Sequence, residues 1–272
     1  ITLNPTQKSP MNYLSSFIFG LLLLNGLMYV MQPGMVFYPL QKIVQTPHDW
    51  GMQYDDISID TDDSERLHGW YIPATAESES QPVLLFFHGT TGNISHLGLN
   101  LLIIDYRGYG KSTGRPSETG LYTDAMAAWQ YLLDNRRFNA DQVIIFGRSL
   151  GGAVATQLAS QVEPRGVILE STLSSASDFA HSVFPVLSRL IYLRYEFNSM
   201  HRLQHIGAPL LMLHSPDDEI MPYQLGEKLF NAAPQPKTFI QLRGGHNDGF
   251  YLSQPIYERA LADWLRGLDA KD

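Results

Sequence analysis

The chain has no cysteine among its 272 residues. That excludes a disulfide framework, a thiolate metal site and a cysteine nucleophile, and it leaves the redox compartment unread. Positive charge is also in short supply. Against 27 Asp and Glu there are only 19 Lys and Arg, a formal net charge of −8. With no basic stripe in sight, this balance argues against a nucleic-acid partner. Internal repeats and low-complexity tracts are lacking as well. What remains is an ordinary globular composition, 44% hydrophobic, at a length that suits one α/β domain plus an extra segment. The chain opens on Ile1 rather than Met, which is compatible with a natural start upstream.

Long apolar runs are scarce, but one stands out. Tyr13 to Met31 carries no charge and centres on Phe17-Ile18-Phe19-Gly20-Leu21-Leu22-Leu23-Leu24. As a helix it would be about 28 Å long, near the hydrocarbon thickness of a bilayer. A cleaved signal peptide is disfavoured because no A-x-A site follows. A buried or monotopic amphipathic helix fits less well, because the run is apolar nearly all round. A single membrane anchor is the favoured reading. Its orientation is not legible, with Lys8 on one side and Lys42 on the other. Residues 1–31 are therefore set apart as an anchor segment. Residues 32–50, with Pro33, Pro39 and Pro47, form a linker, and 51–272 form the domain.

Within that domain the patterning alternates between strand and helix. Tyr54–Asp60 and Leu67–Ile72 flank an Asp-rich turn and read as an edge hairpin. Val83–Phe87, Leu101–Asp105, Val143–Phe146, Gly166–Glu170, Leu210–His214 and Thr238–Leu242 are short apolar runs of buried-strand type. Thr119–Arg136, Ala153–Ala159, Tyr223–Ala232 and Gln254–Leu268 read as helices. Residues 171–200 are less regular and read as a short helical cap above the sheet. The expected architecture is a doubly wound, mostly parallel α/β sheet. One interval conflicts with it: only Thr90–Asn100 separates two parallel strands that need a crossover of a dozen or more residues. Residues missing between about His96 and Leu97 are the expectation.

The chemistry centres on Gly147-Arg148-Ser149-Leu150-Gly151, between a buried strand and a helix. G-x-S-x-G in that context is a nucleophile elbow, with small residues two before and two after the serine because the turn is tight. A serine hydroxyl needs a base within reach and a third group to orient that base. The acid candidates are Asp217 and Asp218, after the strand ending at His214, with Glu170 a third and more structural one. The base candidate is His246, which follows both the serine and the acid loop at a strand's end. His88 reads as structural, and His181, His201 and His205 belong to the cap. The oxyanion donors would be the backbone N–H of Leu150, at the helix N-terminus, and that of Thr90, with Thr91 as the second choice.

Together these pieces resemble the α/β-hydrolase superfamily from about Tyr54 to the C-terminus, and more narrowly its membrane-anchored Bem46-type serine hydrolases. The resemblance rests on Phe37-Tyr38-Pro39, Gly69-Trp70-Tyr71-Ile72-Pro73, His88-Gly89 through His96, and Asp105-Tyr106-Arg107-Gly108-Tyr109-Gly110-Lys111-Ser112. It also rests on the elbow through Gly152, on Leu169-Glu170-Ser171 and on Gly245-His246-Asn247-Asp248. It implies Ser149 as nucleophile, Asp218 as acid, His246 as base and a structural Asp105, with Thr90 where the group usually has Asn. The implied enzyme cleaves carboxylic esters or thioesters through an acyl-enzyme, with no cofactor and no metal. Its partners would be a small-molecule acyl ester or thioester and the membrane, through residues 13–31. Apolar residues in the cap suggest an acyl or lipid-like group, although Phe and Leu in a cap are also ordinary packing. Two rivals are kept: a serine peptidase or amidase with the same triad, and a non-catalytic membrane-tethered binding protein on a hydrolase scaffold.

Overall fold

A computed structural model describes residues 10–74, 81–88 and 99–269. Its frame is a sheet whose eight strands, among the described residues, run in the order β1-β2-β4-β3-β5-β6-β7-β8. The strands are β1 (Asp55–Asp60), β2 (Arg66–Ile72), β3 (Val83–Phe87), β4 (Asn100–Ile104), β5 (Val143–Arg148), β6 (Gly166–Glu170), β7 (Leu210–His214) and β8 (Lys237–Gln241). β1 and β2 form the antiparallel edge hairpin, and β2 also runs antiparallel to β4. From β4 onward every pairing is parallel. The expected crossover between β3 and β4 falls on residues 89–98. It lies outside the described residues, as does the expected gap near His96.

The continuous apolar runs arise because the central strands are covered on both faces. Side chains alternate across the sheet. Leu85, Phe87, Ile145, Leu169 and Met212 face one core, and Leu84, Phe86, Ile144, Phe146, Ile168 and Leu211 face the other. The first core is closed by α2 (Glu118–Asp134), α3 (Leu150–Ala159) and α6 (Tyr223–Ala232). From these helices Leu121, Ala125, Val154, Leu158, Leu225 and Leu229 pack inward. The second is closed by α8 (Ile256–Asp269) through Tyr257, Leu261 and Leu268. Between β6 and β7 the cap segment holds α4 (Ala176–Val183), a single 3₁₀ turn at Leu187–Arg189, and α5 (Ser199–Leu203). A short helix, α7 (Gly249–Leu252), occupies the stretch after β8 that reads as loop in sequence.

The N-terminal helix α1 spans Pro10–Val36 and is long and apolar enough over Tyr13–Val36 to cross a membrane. It continues past Met31 through Pro33, because the residues beyond Met31 are drawn into the domain. Gln32 and Phe37 are buried, and Phe37 packs edge-on against Tyr195 with ring centroids 5.2 Å apart.

Candidate active site

Parallel strands end on one side of the sheet, so the loops beyond their carboxyl ends share one crevice. β5 leads there directly into α3, and Ser149 sits at the junction with φ 55° and ψ −124°. Positive φ in a non-glycine residue is strained, and this strain is enforced from both sides. The Ser149 N–H donates to the Glu170 carbonyl (2.9 Å), while the Ser149 carbonyl accepts from the Gly152 N–H (3.0 Å) and the Thr172 hydroxyl (2.8 Å). The glycines are required by space. A Cβ on Gly147 would lie 2.3 Å from the Gly151 carbonyl oxygen, and one on Gly151 would lie 2.1 Å from that of Phe87. Leu150 opens α3, so its N–H is among the helix N-terminal amides that lack an intrahelical partner. Thr90 and Thr91 lie outside the described residues.

β7 ends at His214 and β8 at Gln241. Their following loops bring Asp218 and His246 together, although they are far apart in sequence. The His246 Nδ1 lies 2.9 and 3.0 Å from the two Asp218 carboxylate oxygens, with His246 5% and Asp218 8% exposed. A carboxylate accepts, so Nδ1 carries the proton and Nε2 is left as the acceptor, the form a general base requires. Asp217 is exposed. The Asp218 Oδ1 also accepts the N–H groups of Ile220 (3.0 Å) and Met221 (2.7 Å). Burial pushes the Asp218 carboxyl up. Hydrogen bonds from His214, His246 and the Met221 amide outweigh that and hold it well below the ordinary carboxylate range. It is ionised at neutral pH.

The chain belongs to a recognised family. Residues 82–190 match the model described as alpha/beta hydrolase fold. The chain is 30% identical over 250 residues to the alpha/beta hydrolase domain-containing protein WAV2 of Arabidopsis thaliana, with 81% of each chain covered. It is an α/β hydrolase. It is also 35% identical over 195 residues to protein bem46 of Schizosaccharomyces pombe, covering 66% of this chain and 65% of that protein. Among solved structures, the esterase Pf2001 of Pyrococcus furiosus superposes with a TM-score of 0.67 at 20% identity, over 85% of this chain and 97% of the esterase. At that identity the likeness concerns the fold.

Sequence patterning alone does not assign the partners in two features of this hydrolase. The first joins the elbow to the histidine loop. Arg148, next to Ser149, hydrogen-bonds through its guanidinium to the backbone carbonyl of His246, and its Nε lies 3.0 Å from Glu170 Oε1. The Tyr257 hydroxyl donates to the other Glu170 oxygen at 2.6 Å. Glu170, the third acid candidate, is thus committed to an ion pair beneath the site. The second is His214. Its Nε2 lies 3.0 Å from the Met221 carbonyl and 3.3 Å from Asp218 Oδ2. Since a carbonyl only accepts, Nε2 carries the proton and supports Asp218 at Oδ2, an oxygen that His246 Nδ1 also contacts. Its Nδ1 faces Gly226, where a Cβ would come within 2.2 Å. A polar residue ending an apolar strand at the carboxyl edge is the signal that marks it. Elsewhere, His88 packs on Tyr106 and Tyr109. Asp105 holds His68 Nδ1 at 2.7 Å, on the side of the sheet edge away from His246 in strand order.

Proposed function

We propose that this α/β hydrolase is a membrane-anchored serine esterase or thioesterase. In this reading Ser149 attacks the acyl carbonyl and His246 Nε2 takes the hydroxyl proton, later returning one to the leaving group. Asp218 holds the imidazole with Nδ1 protonated and stabilises the imidazolium. The Leu150 amide, with that of Thr90, would face the developing oxyanion. Water then cleaves the acyl-enzyme, with His246 again as base. The observation that carries this reading is the buried His246–Asp218 pair, tied through Arg148 to the strained turn that presents Ser149. α1 supplies the membrane attachment.

The test is labelling of the full-length protein with a fluorophosphonate probe, beside Ser149→Ala and His246→Ala. Labelling of the wild type only, on Ser149 by mass spectrometry, is expected. A folded wild type that does not label would sink the reading and favour a binding role on a hydrolase scaffold. Matched ester, thioester and amide substrates then separate the esterase from a peptidase.

A further inference from the structure

α1 is not a bare stalk. Its inward-facing positions, Leu21, Leu24, Asn25, Met28, Gln32 and Val36, recur at helical spacing and are less exposed than their neighbours, whereas Tyr13–Gly20 is exposed throughout. Two amides on that face read the backbone of the cap. Asn25 donates to the Leu190 carbonyl (2.9 Å) and accepts from the Tyr192 N–H (2.6 Å). Gln32 donates to the Tyr192 carbonyl (2.8 Å) and accepts from the Arg194 N–H (2.7 Å). The two side chains pair with residues 190–194 as a neighbouring strand would. In water such an extended segment needs no partner, because solvent satisfies it. In hydrocarbon, both the backbone groups and the two amides would be costly unless paired. The pairing supplies both at once.

The cap surface beside this contact is mostly apolar, with Arg189 the one charged side chain in Val183–Tyr192, on a stem long enough to reach the headgroups. Val183, Phe184, Val186, Leu190 and Tyr192 are all exposed, Val186 at 72%. Asn25 and Gln32 lie two helical turns apart, about 10 Å along the axis. If Gln32 stands at headgroup level in a spanning α1, Asn25 lies about that far into the bilayer and draws Leu190 toward its own depth, with Tyr192 bridging the two amides. We infer that the cap segment Val183–Tyr192 is a second membrane-inserted element, held in the lipid by Asn25 and Gln32 of α1. The occupant of this face is the acyl region of a bilayer. The inference rests on the reading of α1 as the membrane attachment. It adds that the cap above the site opens toward lipid rather than toward bulk water.

The absence of cysteine makes the test direct. Single cysteines at Leu22, Val186 and Glu163 (the last beyond the C-terminus of α3, at the opposite end of the sheet) are labelled with an environment-sensitive fluorophore. The full chain is placed in vesicles of three parts phosphatidylcholine to one part phosphatidylglycerol, with and without doxyl-labelled lipids. Blue-shifted, lipid-quenched emission at positions 22 and 186 but not 163 is expected. Asn25→Ala/Gln32→Ala should abolish most of the quenching at 186 and leave that at 22. Quenching at 22 with aqueous emission at 186 would overturn the cap inference and spare the anchor. Aqueous emission at 22 would overturn both. Quenching at 186 that survives the double substitution would overturn the role of the two amides.

Discussion

Replacing Arg148 by Met removes the cation from a buried pair and leaves its partner in place. Arg148 and Glu170 are each 2% exposed, and the Arg148 Nε stands 3.0 Å from the carboxylate. Breaking a buried pair from one side typically costs about 3–5 kcal/mol, because the remaining charge keeps its desolvation penalty. For a domain of this size that corresponds to a fall in Tm of roughly 6–20 °C. The deficit should also depend on pH. Burial already pushes Glu170 above its ordinary range against the pull of Arg148. Without the guanidinium it rises further, so its folded value exceeds the unfolded one by more. The cost of holding it ionised is then full at pH 8 and shrinks as pH falls toward 5 and the carboxyl takes up a proton. Glu170→Gln in the same chain removes the second charge and should recover part of the loss. Differential scanning calorimetry of wild type, both single variants and the double variant from pH 5 to 8 measures this. A Tm for Arg148→Met within about 2 °C of wild type at pH 8, or a deficit indifferent to pH, would refute the buried-charge reasoning. Because Arg148 also fixes the His246 carbonyl, fluorophosphonate labelling of this variant should slow even where it is fully folded.

Asp218→Asn should lower the labelling rate by roughly a thousandfold or more, since the amide no longer favours the Nδ1-protonated His246, while circular dichroism reports retained fold. Gly151→Ala should destabilise by about 1–3 kcal/mol in urea titration, because its Cβ meets the Phe87 carbonyl with no room to shift. His68 provides a stability switch remote from the site. Burial lowers its basicity, but Asp105 and Asp56 outweigh that and hold its folded value above the ordinary one. Its contribution is therefore full below about pH 6.5 and lost as pH rises through the raised folded value. His68→Gln should remove that slope from the melting profile.

The elbow is legible in sequence because its demands are local: a buried strand, a turn that admits only small residues around the serine, and a helix start, all within one short stretch. The buried strands and the two covered faces of the sheet follow similarly from short apolar runs, whereas the order β1-β2-β4-β3-β5-β6-β7-β8 belongs to the tertiary structure. Asp218 against Asp217 is different. Adjacent acids in one turn are equivalent to patterning, and only the folded loop buries one against His246 while leaving the other in solvent. Arg148, Glu170 and Tyr257 meet across three elements, and His214 meets Asp218 through the shape of a loop. Such charges look like ordinary surface residues until the sheet brings them together. The same holds for α1. Its length and apolarity, which make it a candidate for crossing a membrane, are written in residues 13–31. That Asn25 and Gln32 face the cap was decided by tertiary structure, because a hydrogen bond's partner depends on position in space and not on separation along the chain.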